Sequence, residues 1–500
     1  MKRMHRFLSI LTAGTLLLGS AALPVSAAGV LYGDADGSGD VDLRDAVLLA
    51  KASAGIGEGL DSAGRTAADV NGDGTVDGTD LKIMLQYLAG LRTSLTGTAS
   101  SVYLAATDLT ADIVSGTVES KAPDAQYITA QLGFAADLMR NEWTAHENQN
   151  VLVSPLSVSL ALAMTANGAN GDTLSQMENV LGDGMTIDEL NACCRGYLDL
   201  LPQSEDTSLS IANSIWFDEN RLSVPQKFLQ TTADYYKASA FRACFSNPDT
   251  ITDINAWVNL NTHEMIPRLL DPDKGIDTHT VMILMNALAF EAKWKAPYHD
   301  GDRIGDRTFY AADGTEQTVT MMYSDEHSYL ATEHATGFVK PYTDGYSFAA
   351  VLPNEGISIG DYAASLDAAE ISALLSSKTD CAVHAGLPKF SYDFGDSLVE
   401  TLKSMGMPTA FDENYADFSG LTEDPLQQIF ISDVIHKTHI EVGEDGTRAA
   451  AVTAVIMAEN AVMPIEEQKE VILNRPFLYM IIDDATQLPI FIGTVTSIEA

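Results

Sequence analysis

The chain has 500 residues, 46% hydrophobic and 20% charged, a globular balance that excludes a wholly disordered or collagen-like polymer. Lys and Arg number 29 against 69 Asp and Glu, and the formal net charge of -40 repels nucleic acid and anionic lipid. Four cysteines, with Cys193 and Cys194 adjacent and no C-x-x-C, exclude a disulfide-stapled scaffold, a zinc ribbon and a thioredoxin-like site.

Lys2, Arg3 and Arg6 precede an apolar stretch over 7–18 that closes at Val25-Ser26-Ala27, with small residues where signal peptidase needs them. This pattern predicts a secretory signal over 1–27, cleaved after Ala27. Gly14, Gly19, Ser20 and Pro24 interrupt the stretch, which argues against a membrane anchor. The longest later apolar run, 281–290, falls well short of the roughly 18 residues a span needs. The mature chain is expected to be secreted, extracellular and free of membrane.

A repeat follows. Asp34, Asp36, Ser38, Asp40, Asp42 and Asp45 recur in the same register as Asp69, Asn71, Asp73, Thr75, Asp77 and Asp80. Oxygen-bearing side chains stand at loop positions 1, 3, 5, 9 and 12. Gly39 and Gly74 permit the sharp turn at position 6, and position 7 (Asp40, Thr75) offers its backbone carbonyl. Packing so many carboxylates together without a cation is unfavourable, so each loop is expected to hold one Ca2+, two ions in all. Helical spacing follows each loop, over 46–55 and 81–90, each ending in Gly. The last ligand is Asp rather than the bidentate Glu of an EF-hand, and no entering helix is legible before either loop.

With those features, residues 31–92 resemble a dockerin, a small all-α calcium-binding module that plugs exported proteins into the cohesins of a cellulosome scaffold. The resemblance puts cohesin choice at loop positions 10 and 11, here Leu43 and Arg44 in one copy and Gly78 and Thr79 in the other. The pairs match neither each other nor the Ser-Thr common in such modules, so the cohesin class is open.

A Ser/Thr/Ala/Gly-rich stretch over 93–101 reads as a linker, 102–124 as a lead-in, and 127–143 as a helix. Further on, helical and strand patterns mix without regular alternation, which predicts an α+β domain over 125–500. Helices are expected over 157–166, 251–265 and 398–405, and strands over 208–217, 281–290, 347–352, 381–387, 428–434 and 477–482. No G-x-S-x-G, H-E-x-x-H, G-x-x-x-x-G-K-[ST] or post-strand G-x-G-x-x-G is present, so enzymatic chemistry has no carrier.

One segment is unusual. From Ala449 to Ala458 the chain is small, β-capable and without charge or proline, while Glu444 and Asp445 precede it and Glu459 follows. Read with period two, Thr447, Ala449, Ala451, Thr453, Val455 and Met457 share one face, and Arg448 lies on the other. Such a segment could enter an existing sheet as a central strand.

Around it, Asn150-Val-Leu-Val-Ser154-Pro155-Leu-Ser157, Asn286-Ala-Leu-Ala-Phe290-Glu-Ala-Lys-Trp294, Leu387-Pro-Lys-Phe390, His436-Lys437-Thr-His-Ile-Glu441-Val442 and Asn474-Arg-Pro476-Phe477, closing at Phe491-Ile-Gly493, resemble the serpin family in its own order. The resemblance implies a fold of three β-sheets and eight to nine helices with an exposed reactive loop. It also implies suicide inhibition: a protease acylates the loop, and the loop's N-terminal arm inserts into sheet A and distorts the trapped enzyme. Glu444, Gly446, Thr447, Ala449, Ala450 and Ala451 then form the hinge of that arm. Ser154, Ser157, Asn286 and His436 match the polar shutter beneath the opening strands, and Trp294 the breach where insertion begins.

The fourteen residues from Thr447 to Asn460 span roughly 46 Å at ~3.3 Å each, enough to cross a large sheet. Arg448 stands where Glu is usual and Val452 where Ala or Ser is usual, both on the outward face, so inhibition is expected to be intact. Counting seventeen residues from Glu444 puts the reactive bond at Asn460–Ala461; the long loop leaves Met457, Glu459 and Met463 as alternatives. None of these is Arg or Lys, which favours a subtilisin-, elastase- or chymotrypsin-like serine protease as partner over a trypsin-like one. A monomer is expected, and a non-inhibitory serpin acting as a binding or structural component is the rival reading.

Overall fold

The computed structural model describes residues 32–36, 41, 43–53, 60, 62–70, 76, 80–81, 84, 106–204, 206–277, 280–298, 303–424, 428–447 and 468–498. Residues 1–27, expected to be a signal, 93–101, expected to be a linker, and 448–467 lie outside them. The chain divides into two units, Met1–Tyr103 and Leu104–Ala500.

In the first unit, helix α1 (Leu43–Ser53) follows the first acidic loop, and helix α2 (Ser62–Ala68) runs straight into the second. The sequence did not disclose α2, because its seven residues, SAGRTAA, are too few and too small to show a helical period. Ala35, Ala46, Leu49, Ala68, Val70 and Met84 form its small core.

The second unit begins earlier than the helical pattern suggests. Strand β1 (Thr107–Asp108) pairs with β4 (Ser239–Ala243), and the Gly116 amide donates to Asp234 Oδ1 at 2.6 Å. The Lys121 amide then donates to the Ala192 carbonyl at 2.9 Å, so the lead-in lies along the second unit. Helix α3 (Ala125–Ala145) starts where the Asp124 carboxylate accepts the Tyr127 amide at 2.9 Å. After β2 (Leu152–Val153), Ser154 caps α4 (Pro155–Ala166), with Pro155 at the first helical position. All twelve residues of α4 are buried, as its all-round apolar sequence requires. Helices α5 (Gly171–Gly182) and α6 (Ile187–Leu200) follow, the latter opened by a Thr186–Glu189 capping box.

Strand β3 (Thr207–Asp218), short helix α7 (Gln226–Thr231) and β4 lead to α8 (Asp249–Asn261). The last ends four residues before the expected 265, where His263 and Glu264 take left-handed φ of 50° and 63°. The chain continues through β5 (Met282–Lys293), β6 (Ile304–Tyr310), β7 (Glu316–Ala331), β8 (Ala335–Pro341) and β9 (Tyr346–Pro353). Helices α9 (Ile359–Ser365) and α10 (Ala368–Ser376), strands β10 (Thr379–Pro388) and β11 (Phe390–Ser397), and α11 (Val399–Met405) follow. Nine α-helices of this unit lie among the described residues, α3 to α11. The remaining strands are β12 (Asp433–Val442), β13 (Gly446–Thr447), β14 (Lys469–Ile472), β15 (Phe477–Asp483) and β16 (Pro489–Val495).

The strand expected over 428–434 is displaced to β12. Ile431 N–H bonds the Ala410 carbonyl at 2.9 Å and the Gln428 amide bonds Ala416, so this stretch serves the 408–416 loop. The alternation of buried and open residues begins only at Asp433.

Among the described residues the strands form two continuous hydrogen-bonded networks. The first runs β1-β4-β3-β5-β13-β12-β11 and the second β14-β10-β7-β8-β9-β15-β16-β2, with β6 on β7. The sixteen-residue β7 pairs β6 along 316–322 and β8 along 329–331 on one edge, with β10 on the other. This shared strand joins what the sequence reading counts as separate second and third sheets. Helix α4 packs against both the first sheet and β16, and the main core lies between.

Candidate functional site

The site is a partly closed seam in the first sheet. Strands β5 and β12 pair in parallel from Ile283↔Asp433 to Leu288↔Thr438, and no ladder pair joins 289–291 to 439–441. At the far end Gly446 and Thr447 sit between the two strands, antiparallel to both, with Thr447 opposite Ala292 on one side and Val442 on the other. Gly446 is there because nothing larger fits: a Cβ would lie 2.0 Å from the Ala292 carbonyl oxygen. Thr447 is buried, and its hydroxyl meets the Tyr342 hydroxyl at 2.6 Å.

Around that entrance Trp294 stacks on Tyr342, with ring centroids 4.3 Å apart and planes 10° from parallel. Trp294 Nε1 donates to the Gly443 carbonyl at 2.9 Å, and its backbone N–H to the Asp445 carbonyl at 2.8 Å. Lys340 Nζ lies 4.3 Å from the Tyr298 ring centre and pairs with Glu326 Oε1 at 2.8 Å, both side chains buried. Burial pushes the Lys340 ammonium below its usual range, and Glu326 pulls the other way. Glu444 pairs with Lys389 at 2.8 Å; burial raises its carboxyl, but the Lys389 hydrogen bond and charge, together with a backbone hydrogen bond, hold it below the usual range.

Beneath the paired stretch, Ser154, Ser157, Asn286 and His436 converge, and all four are fully buried. Ser154 N–H donates to His436 Nε2 at 3.1 Å, which makes Nε2 an acceptor and leaves the ring proton on Nδ1. His436 Nδ1–H therefore donates to Asn286 Oδ1 at 2.6 Å. Asn286 Nδ2 donates to Ser157 Oγ at 2.6 Å and to Asn213 Oδ1 at 2.8 Å. Asn213 in turn donates to the Ser157 carbonyl at 3.2 Å. Burial drives the His436 imidazole down to about 3, so it is neutral, as this directional circuit demands. Asn213 was missed by sequence reasoning, yet a lone Asn in the apolar run Ile211-Ala-Asn213-Ser-Ile215-Trp216 was the same signal as Asn286. Lys340, Glu326 and Tyr342 carried no such signal, because only the folded sheet brings them to Trp294.

In the first unit, donor atoms of Asp34, Asp36 and Asp45 lie within 4.8 Å of one another. Asp45 and Asp80, the last residues of the two loops, are both buried and accept the Asp36 and Val70 amides at 3.0 Å. The all-oxygen, anionic donor set suits Ca2+. Arg44 is exposed on α1, and Leu43 opens that helix. Ser38, Asp40, Asp42, Asn71, Asp73, Thr75, Asp77, Gly78 and Thr79 lie outside the described residues, as do Ala449, Ala450, Ala451, Met457, Glu459, Asn460, Ala461 and Met463. The four cysteines are free thiols, and burial raises that of Cys194 to about 12. No helix among the described residues is long and apolar enough to cross a membrane.

Comparison with known proteins assigns the family. Residues 129–498 match the model for Serpin (serine protease inhibitor) and residues 32–89 that for the Dockerin type I domain. The chain belongs to the serpin family and carries a dockerin domain ahead of it. It is 30% identical over 374 residues to an uncharacterized serpin-like protein of Thermococcus kodakarensis, covering 73% of this chain and 84% of that one. Serpin A3-7 of Bos taurus is 31% identical over 373 residues, covering 73% and 87%. The thermophilic serpin tengpin in its native state superposes with a TM-score of 0.74 and 43% identity, covering 79% of this chain and 100% of that one. Its latent state gives 0.66 at 40% identity, covering 76% and 100%, so the likeness is greater to the native form. Serpins are mostly protease inhibitors, and some are not.

Proposed function

We propose that the protein is a secreted suicide inhibitor of serine proteases, held to a cellulosome scaffold by calcium-dependent binding of its dockerin to a cohesin. The observation that carries this reading is the seam: β5 and β12 are joined at one end and parted at the other, where Gly446 and Thr447 already occupy the place of an inserting strand. A strand continued from Thr447 would run antiparallel to both neighbours and satisfy the backbone groups they present across the gap. Small residues at Ala449, Ala450 and Ala451 keep the steric barrier low. In this reading the loop is attacked at Asn460–Ala461, with Met457, Glu459 and Met463 as alternative cleavage positions. The two acidic loops hold one Ca2+ each and place Leu43, Arg44, Gly78 and Thr79 against the cohesin. The expected substrates of the trap are subtilisin-, elastase- or chymotrypsin-like enzymes.

Incubation of the full chain with a panel of such proteases, read on a denaturing gel, tests the proposal. A covalent band at the summed mass of inhibitor and protease is expected. Clean loop cleavage by every enzyme, with no such band, would leave a non-inhibitory serpin.

A further inference from the structure

Outside the seam, one cluster of side chains converges with no role in loop insertion. Glu142 and His146 lie one turn apart at the end of α3, and Asp396 lies on the edge strand β11. One donor atom from each falls within 4.8 Å of the other two. His146 Nε2 is 3.2 Å from Asp396 Oδ2, and His146 Nδ1 is 3.7 Å from Glu142 Oε2. Glu142 is wholly buried, and its Oε2 has no hydrogen-bond partner, an arrangement a carboxylate pays for unless a cation or a proton meets it.

The atoms facing away from the centre are all occupied. Glu142 Oε1 accepts the Thr401 hydroxyl from α11 at 2.5 Å, and Asp396 Oδ1 accepts the Ser397 amide at 2.7 Å. His146 Nδ1 lies 3.1 Å from the Glu142 carbonyl, and the ring stands edge-on to Phe394 at 5.2 Å. A ligating histidine characteristically gives its second ring N–H to a backbone carbonyl, which fixes the tautomer and turns the other nitrogen to the metal. The last turn of α3 carries no basic residue, so the negative end of the helix dipole also faces this point.

We propose that Glu142, His146 and Asp396 form a site for a first-row divalent cation, Zn2+ by its donor set, that ties the end of α3 to β11. One imidazole and two carboxylates suit Zn2+ rather than Ca2+, with water completing a tetrahedron. Its ligand–ligand edges of roughly 3.3 Å are already met between His146 Nε2 and Asp396 Oδ2 at 3.2 Å, and the Glu142 side, within 4.8 Å of the others, would close by about 1.5 Å at most. Asp396 is the ladder partner of His436, so the ion would sit beside the polar cluster under the seam.

The test is Zn2+ titration by calorimetry of the full chain in excess Ca2+, which keeps the acidic loops of the first unit filled. One Zn2+ per chain is expected, with binding at least about tenfold weaker in both His146→Gln and Asp396→Asn. Zn2+ is also expected to raise the melting temperature of the wild type and not of either variant. Circular dichroism of the variants without zinc checks that they fold. Absence of a titratable site, or equal uptake by wild type and both folded variants, overturns the proposal and leaves a buried Glu142 beside an ordinary His146–Asp396 pair.

Discussion

His436 is the residue on which the seam turns. It lies opposite Asn286 across the β5–β12 pairing and must be neutral, because its Nε2 accepts from Ser154 while Nδ1 donates to Asn286. A proton added at Nε2 would face the Ser154 N–H, leaving two donors in contact and a buried charge unpaired. Its folded-state value of about 3 lies far below the ordinary 6.5, so the unfolded chain binds a proton that the native state refuses between those limits. Stability from this group is therefore complete above 6.5 and lost as pH falls toward 3, by up to ~1.4 kcal/mol per pH unit. Between pH 6.5 and 5, where carboxylates remain largely ionised, the wild-type melting temperature should fall, and that of His436→Gln should fall less steeply from a lower start. Parallel curves would mean that His436 does not carry the circuit. Ser154, Ser157, Asn286 and His436 were legible in the sequence as motif residues. Their closure into one circuit was not, because Asn213 completes it from β3 and only the strand register brings it there.

At the scale of the element, β13 fixes the register of everything that would follow it. Thr447 opposes Ala292 and Val442; continued one residue along the same ladder, an inserted position 448 would stand between Glu291 and Glu441. Glu441 is exposed, so this is the outward face, the face the period-two reading gave to Arg448. In an inserted arm an arginine there would meet two carboxylates where a glutamate would make a third. Cross-strand charge pairs contribute roughly 0.2–1 kcal/mol each, so exchanging two attractive pairs for two repulsive ones in Arg448→Glu should weaken the inserted strand by about 1–4 kcal/mol. Slower insertion lets hydrolysis of the acyl bond compete, so the stoichiometry of inhibition against any protease the wild type traps should rise. An unchanged or lower stoichiometry would contradict this register. Five of the six strands expected from the sequence fall on β3, β5, β9, β10 and β15, whose largely buried apolar runs declare themselves. The exceptions were elements set by distant partners: residues 428–432 bond a loop rather than a strand, and β7 joins two sheets by serving three neighbours.

For the whole molecule, the parted seam describes a fold that has not reached its most hydrogen-bonded arrangement. Strands β5 and β12 leave facing backbone groups across the gap, and the pairing from 283–288 to 433–438 must separate before a full central strand can enter. Insertion of the arm would replace one short parallel contact with two long antiparallel ladders and bury its small residues against the core, so the cut form should be the more stable one. Thermal melting of the intact chain, against the same chain nicked once between Met457 and Met463, tests this most directly. A large upward shift of the transition assigned to the second unit is predicted on nicking. An unchanged or lower melting temperature would contradict the account at its centre.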